Sequence, residues 1–218
     1  TPIMFSPASA RPVRTIKPIL VLAFTVAFLT APGVSTTPSH AGEKTAAAAL
    51  HQDFDSTDNA LPAGFRAVKG QWKVSDGVLV GAELAADKHS AVLNFGEKNT
   101  DSEVSMRFRL DGATFFHHTL NHPKGHQFRV ILDPPEGLSI KKDKDKKEPE
   151  SKAIVLGKQT DSIGSGEWHR LKVTIAVDTV TATLDDGEAL SVSHEGLEVG
   201  KTGYRLVLKG KSVSIDDI

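Results

Sequence analysis

An alternation of apolar and polar residues with a period of two runs through much of this 218-residue sequence. In Glu103–Leu110, four apolar side chains alternate with one glutamate, one serine and two arginines, and Leu171–Val177 and Val180–Leu184 repeat the pattern. Because successive side chains of a β-strand point to opposite faces, this period predicts strands with one buried face. No segment after residue 50 keeps a helical period over three turns, so helices are not expected.

Further short runs have the composition or the alternation of strands. They are Gln71–Val74, Gly77–Gly81, Ala91–Phe95, Thr114–Leu120, His126–Asp133, Ile154–Gly157, Ala189–Ser193, Tyr204–Leu208 and Ser212–Asp216. Turn residues separate them, including Asp76-Gly77, Asp185–Gly187 and Asn121–Gly125. About a dozen strands without helices predict an all-β antiparallel sandwich or jelly roll, with an up-and-down barrel as the alternative.

The first forty residues are typical of an export signal. Arg11, Arg14 and Lys17 precede an apolar run from Pro18 to Leu29, and Ser39-His40-Ala41 has the small-x-small pattern of a cleavage site. The apolar run is short for a membrane span, which takes about 20 residues, so a membrane anchor is the less favoured alternative. A secreted, periplasmic or cell-envelope protein is expected, without stable membrane insertion after cleavage.

The predicted organisation is a signal peptide over residues 1–41, a tether over 42–51 and one β-sandwich domain over 52–218. Within that domain, the mixed-charge segment 141–152 is expected to be a solvated loop or the tip of a long hairpin, because it has almost nothing to bury.

The composition excludes several chemistries. The chain contains no cysteine, so disulfides, thiolate metal sites and a cysteine nucleophile are ruled out. Its formal charge of −1 becomes more negative when the basic leader is removed, which argues against a nucleic-acid partner. No phosphate-binding glycine loop is present, and no cofactor is expected. The Glu-x-Asp-x-Glu pattern that supplies the paired carboxylates of laminarinase-type sandwich hydrolases is also absent.

Four histidines, His117, His118, His122 and His126, fall within ten residues around the Asn121–Gly125 turn. A hairpin there is expected to bring His118 roughly opposite His126. Converging imidazoles could act as a general base or bind a metal such as Zn²⁺. The plainer alternative, which we favour, is a polar sheet face with ordinary hydrogen bonds, and no metal site is predicted.

Arginines form a second candidate set, composed of Arg107, Arg109 and Arg129. On neighbouring strands, their guanidinium groups could bind sugar hydroxyls or the carboxylate or sulfate groups of an anionic glycan. The alternative is a solvated face with cross-strand ion pairs to residues such as Glu103 and Asp133. Trp168 could stack on a sugar ring, although core packing is the commoner role of a tryptophan in a sandwich.

Several segments resemble one family of sandwiches. Gln71–Leu79 (QWKVSDGVL) resembles the W-x-v-x-D-G-v-L opening of concanavalin A-like domains in the 3-keto-disaccharide hydrolase group. Gly166–Val173 is similar to the group's g-x-W-h-x-l-x-v strand, Thr179–Gly187 to its hairpin, and Val213–Ile218 to its closing v-x-i-D-d-i strand. The resemblance implies a concanavalin A-like jelly roll.

The resemblance also implies an activity, the cleavage of 3-keto-glycosides. The C3 ketone acidifies the neighbouring C2 hydrogen, so a base such as histidine could start elimination of the glycosidic oxygen. The predicted catalytic residues are therefore His126 and His118. The predicted sugar-binding residues are Arg107, Arg109, His117, Arg129 and Trp168. A carbohydrate is the expected partner, and a non-catalytic lectin-like module or an envelope adhesion or structural domain stays open as the alternative.

Overall fold

The structure is a computed structural model that describes residues 50–55, 59–122, 125–145 and 147–218, with only the backbone described at residues 125–127. These residues belong to one unit, Ala47–Ile218. The predicted signal peptide, and all of the predicted tether except residues 50 and 51, lie outside the described residues. Within the described part, no helix has the length and apolar character needed to cross a membrane.

The described residues form fourteen strands and two short 3₁₀ helices, Ala85–Asp87 and Glu195–Leu197. In chain order the strands are β1 (Arg66–Lys69), β2 (Gln71–Ser75), β3 (Val78–Ala82), β4 (Ala91–Phe95), β5 (Ser102–Leu110), β6 (Ala113–His122), β7 (Gly125–Asp133), β8 (Gly137–Lys142), β9 (Ile154–Gln159), β10 (Trp168–Ala176), β11 (Thr179–Leu184), β12 (Leu190–Ser193), β13 (Tyr204–Gly210) and β14 (Ser212–Asp216).

The strands make two seven-stranded sheets in which neighbouring strands pair antiparallel. Sheet A has the order β1-β4-β13-β6-β7-β8-β9, and sheet B has the order β12-β11-β10-β5-β14-β3-β2. Each sheet keeps two edges, which a closed up-and-down barrel would not. The all-β prediction of a jelly-roll sandwich is confirmed, and the barrel alternative is wrong.

The core lies between the two sheets, where the apolar positions of the alternating strands meet. Phe108 of β5 packs against Phe116 of β6 with ring centres 5.6 Å apart, and both side chains are fully buried. Trp72 also lies in this core, and its indole nitrogen donates to the Lys69 carbonyl at 3.1 Å. A Cβ at Gly81 would lie 2.4 Å from the Trp72 ring, so glycine is required there for the packing.

Turn chemistry places the hairpins as expected. Asp76 and Gly77 both have positive φ angles, 54° and 74°, which suits the tight turn between β2 and β3. Asp185 also has a positive φ, and it begins the turn that joins β11 to its antiparallel partner β12.

Two strands were not expected from the sequence, β1 and β8. The exposed strand β1 is only four residues long, so it has too few residues to show a period. Strand β8 buries Leu138 and Ile140 but ends in Lys141 and Lys142, which makes it look like the start of the charged segment. The rest of that segment lies between β8 and β9, which pair as antiparallel neighbours.

Candidate functional site

The histidine hairpin exists, but its register differs from the expected one. His122 pairs with Gly125 and Asn121 pairs with His126, and an irregularity then follows between Leu120 and Asn121. His118 therefore lies opposite Val130. The expectation that His118 faces His126 is wrong, because the turn is tighter than assumed and shifts the pairing.

His118 points into the core of the sandwich. Its side chain is fully buried, with its ring 5.1 Å from the ring of Tyr204 and 6.1 Å from that of Phe95. Neither ring nitrogen has a hydrogen-bond partner among the described residues. Burial lowers the pKa of His118 from 6.5 to about 3, so the ring is neutral at physiological pH. The predicted role of His118 as a catalytic base is inconsistent with this position, since no substrate reaches it.

The other three histidines have different positions. His117 lies on the outer face of sheet A, where it is buried and stacks on Phe115 with ring centres 4.3 Å apart. His122 ends β6 and is partly buried. The side chain of His126 lies outside the described residues, so its catalytic role stays a prediction. Among the side chains that the structure describes, no three histidines or carboxylates gather as a metal site.

The predicted arginine set is divided between the two sheets. Arg107 and Arg109 are on β5 in sheet B, whereas Arg129 is on β7 in sheet A. The three guanidinium groups therefore cannot form one row. The shared face was expected on the condition that their strands are neighbours, and that condition is not met because β5 and β7 belong to different sheets.

On the outer face of sheet B, Arg107 and Arg109 flank Trp168. Their guanidinium carbons lie 5.0 and 5.1 Å from the centre of the tryptophan ring, within cation–π distance. Each arginine also has a carboxylate: Arg107 bonds Asp216 at 3.2 Å, and Arg109 Nε bonds Asp111 at 2.7 Å. The two positive charges of this cluster are therefore balanced by its own two carboxylates.

The ion pairs of sheet B differ from the expected ones. Glu103 pairs with Lys172 at 2.9 Å and accepts a bond from Thr174, and among the described residues neither Arg107 nor Arg109 forms an ion pair with it. Asp133 lies on β7 in sheet A, away from β5. Cross-strand ion pairs do occur on this face, since Arg107 of β5 pairs with Asp216 of β14, whereas Arg109 pairs with Asp111 two residues along its own chain segment.

The outer face of sheet A carries a different arrangement, a row of polar residues that crosses six neighbouring strands. Each member lies directly opposite the next in the strand register. From β1 to β8 the row consists of Arg66, Asn94, Arg205, Thr119, Arg129 and Lys141, and we call it the polar row. Core residues flank its members along the strands, as Tyr204 and Leu206 flank Arg205, which places the row on the face away from the core.

Arg205 is the central cation of the polar row. Its Nε donates to the side-chain oxygen of Asn94 at 2.9 Å. Burial lowers the pKa of Arg205, and the nearby positive charges of Arg66 and Arg129 lower it further. Among the described residues, no carboxylate forms an ion pair with Arg205 or Arg66. Arg205 is thus partly desolvated between two like charges.

The two residues that follow Arg205 along the row contrast with each other. Arg129 Nε bonds Asp143 at 2.7 Å, the one carboxylate found in an ion pair with the row among the described residues. Thr119 is 1% exposed, and its hydroxyl has no hydrogen-bond partner within the described part of the chain. A buried hydroxyl without a partner costs free energy, so it marks a place where a ligand atom could bond.

A cleft of about 420 Å³ opens at the β1 end of the polar row. Arg66, Asn94 and Arg205 line one part of it, and Asn121 and His122 line another. The cleft therefore combines two guanidinium groups, two amides and an imidazole. Such groups can donate to and accept from several ligand oxygens at once.

Sequence reasoning named only Arg129 from the polar row. Arg66, Asn94, Arg205 and Thr119 were missed because strand pairing brings together residues that are far apart in the chain. A partial signal existed, since Arg205 is the polar position within the predicted strand Tyr204–Leu208. The pairing of β13 with β6 and β4 was needed to show its neighbours.

No model of a protein family matches this sequence, and no curated protein matches it either. Solved structures do share the fold. The carbohydrate-binding module CBM66 from Bacillus subtilis has a TM-score of 0.56 at 13% identity, over 70% of this chain and 92% of the module. The CBM2 module of the evolved Dit of Lactobacillus casei BL23 phage J-1 has a TM-score of 0.57 at 15% identity, over 77% of this chain and 92% of that one.

A third similar structure is LamA from Zobellia galactanivorans, in complex with laminaritriose and laminaritetraose. Its TM-score is 0.52 at 12% identity, over 78% of this chain and 95% of that one. The fold is a concanavalin A-like jelly roll. At these identities the likeness establishes the fold alone, and the function has to be argued from the site.

Proposed function

We propose that this chain is an exported carbohydrate-binding domain that holds a glycan against the outer face of sheet A. The observation that carries the proposal is the polar row, in which six residues from six neighbouring strands share one face. The export signal predicted for the leader supports a location where free glycans are met.

The chemistry of the polar row suits sugar hydroxyls. Each hydroxyl both donates and accepts, and a row of guanidinium, amide and hydroxyl groups offers both roles along a line. The row is built on paired strands, so its spacing is rigid and little ordering cost is incurred on binding. Two of the similar structures are carbohydrate-binding modules, and a third contains laminari-oligosaccharides. Their presence on this fold supports the proposal.

A glycan array probed with the full chain tests this function. Saturable binding is expected, and Asn94→Ala should weaken it several-fold because both Arg205 and the ligand lose a partner. The matched control is Gln71→Ala, an exposed amide on sheet B, which should bind like the unaltered protein. Absence of binding to any glycan would contradict the proposal and favour a structural envelope domain.

A second candidate function is cleavage of a bound 3-keto-glycoside. The observation that favours it is His122, which lines the cleft together with Arg66 and Arg205. A histidine there could take the C2 proton that the ketone acidifies. Incubation with 3-keto-glucosides, with products read by mass spectrometry, tests it. Turnover that His122→Gln abolishes without loss of binding would support this activity, and no turnover would leave the binding function alone.

A further inference from the structure

We infer that the glycan is anionic, and that an acid group of it sits over Arg205 between Arg66 and Arg129. The inference rests on the proposed function and specifies the ligand class for the same polar row. The acid group is a carboxylate or a sulfate, since both offer oxygens that a guanidinium binds in a bidentate manner.

The charge balance of the row is the first argument. Arg66, Arg205, Arg129 and Lys141 supply four cations, and Asp143 is the one carboxylate in an ion pair with them among the described residues. The whole chain has a formal charge of −1, so this excess of positive charge is local to the row. A local cationic surface on a protein with almost no net charge attracts anions to that surface.

The surroundings of Arg205 are the second argument. Its guanidinium is partly buried, it bonds a neutral amide, and its charged neighbours Arg66 and Arg129 are both positive. A partly desolvated charge next to like charges is unfavourable unless an opposite charge joins it. An acid group placed there would relieve the repulsion among all three arginines.

The hydroxyl of Thr119 is the third argument, independent of charge. Thr119 lies directly opposite Arg205 on one side and Arg129 on the other. Its side chain is 1% exposed, and its hydroxyl has no partner within the described residues. A hydroxyl can donate to a carboxylate or sulfate oxygen, and that bond would satisfy it if the side chains that cover Thr119 on the outer face move aside on binding.

The spacing of the cations indicates an oligosaccharide instead of a single sugar acid. Arg66, Arg205 and Arg129 occupy every second strand of the row, so they recur at roughly 10 Å when neighbouring strands are about 4.8 Å apart. Lys141 extends the row by one strand. An anionic chain that runs across the strands could therefore contact several cations at once.

The arginines of sheet B contrast with those of the polar row, and we infer no anion-binding site there. Arg107 and Arg109 are each paired with a carboxylate and both lie against Trp168. Binding an anion there would require breaking an existing ion pair. In the polar row, by contrast, neither Arg66 nor Arg205 has an ion pair among the described residues, so an anion could bind there without displacing a carboxylate.

Paired polysaccharides that differ in their acid groups test the inference on the full chain. One pair is polygalacturonate and its fully methyl-esterified form, and the other is dextran sulfate and dextran. The acidic member of one pair should bind at least about tenfold more tightly than its neutral partner, and the difference should shrink with added salt. The pair that shows the difference identifies the acid group.

Variants locate the binding. Arg205→Gln should weaken binding of the acidic polymer about tenfold, while Arg205→Lys should retain part of it. The control is Arg170→Gln, an exposed arginine on β10 of sheet B, which changes the net charge equally and should leave binding unchanged. Thermal unfolding of each variant shows that it is folded.

Four outcomes would overturn the inference. Equal binding of acidic and neutral partners would refute the anionic ligand but leave the proposed function intact. Binding of neither would refute the anionic ligand, and the glycan array would then decide whether the proposed function holds. Binding of double-stranded DNA as tightly as of the acidic polysaccharide would show an unselective polyanion surface, and so would equal losses in Arg205→Gln and Arg170→Gln.

Discussion

Sheets A and B of this sandwich treat their polar groups in opposite ways. On sheet B, Arg109 has Asp111, Lys172 has Glu103, and His169 bonds both Asp185 at 2.9 Å and the Gly164 carbonyl at 3.0 Å. On sheet A, both His118 inside the core and Thr119 on the outer face lack hydrogen-bond partners among the described residues. The two sheets share strand number and antiparallel pairing, so the difference lies in their side chains.

Whether a polar group has a partner within the protein helps to separate structural polar groups from functional ones. A matched cluster such as Arg109 with Asp111 stabilises the sheet and needs nothing more. An unmatched group such as Arg205 costs stability, and proteins commonly retain such a cost where a ligand offsets it. The number of arginines on a face is therefore less informative than the number of carboxylates beside them.

The largest expected effect concerns His118. Its folded-state pKa of about 3 is below the ordinary 6.5, so the unfolded chain binds a proton at acidic pH that the folded chain does not. Stability should be level above pH 6.5 and fall by roughly 1.4 kcal/mol per pH unit below it, by about 4–5 kcal/mol in all. His118→Leu should remove that part of the slope, as measured by urea unfolding between pH 4 and pH 7.5.

His169 on sheet B provides the control for His118 on sheet A. His169 has a partner at each ring nitrogen, so His169→Leu should lower the free energy of unfolding at pH 7.5. His118→Leu, in contrast, should raise the free energy of unfolding at pH 4. Parallel pH profiles for the unaltered protein and His118→Leu would contradict the assignment of this slope to His118.

The fold was predictable because its signal is local. Alternation along single strands such as Leu171–Val177 predicts a buried face without knowledge of neighbours, and Asp76-Gly77 predicts its own turn. Strand β8 was missed because its two buried apolar side chains, Leu138 and Ile140, are followed by lysines that match the charged segment. Length and composition of a short strand are weak signals when its partner strands are unknown.

The site was much less predictable because it depends on pairing between distant strands. Arg66 and Arg205 are separated by most of the domain, and only the strand order places both beside Asn94. His118 shows the opposite failure, since its sequence neighbours suggest a polar hairpin while its register turns it into the core. One residue of shift decides which face a side chain occupies.

Asp111 tests the polar cluster of sheet B, in which each charged group has a partner. It accepts bonds from Arg109 Nε at 2.7 Å and from the Ser214 hydroxyl at 2.6 Å. Asp111→Ala should lower the free energy of unfolding by about 2 kcal/mol, because it leaves the buried Ser214 hydroxyl and a partly buried arginine without their acceptor. Glycan binding should not change. A variant as stable as the original would show that the cluster of sheet B contributes little.

Thr119 tests a polar group of sheet A that has no partner. Its replacement should raise the free energy of unfolding, whereas replacement of Asp111 should lower it. Thr119→Val replaces a buried hydroxyl that has no partner with a methyl group, so it should raise the free energy of unfolding by about 1 kcal/mol. Binding of an anionic glycan should weaken at the same time. The matched control is Thr181→Val on sheet B, whose hydroxyl bonds Ser191 at 2.9 Å and whose loss should not stabilise the protein.

The smallest expected effect comes from Asp143, the carboxylate that sheet A does provide. Its bond to Arg129 at 2.7 Å makes one end of the polar row resemble the matched clusters of sheet B. Asp143→Asn keeps the shape of the side chain and removes its negative charge, so the row becomes more positive and Arg129 is less occupied. Binding of the acidic polysaccharide should tighten about two- to threefold, with a loss of at most about 1 kcal/mol in stability.

Titration at low salt against Asp111→Asn, which removes the same charge on sheet B, measures the effect. Weaker binding in Asp143→Asn would mean that Asp143 positions Arg129 for the ligand instead of competing with it.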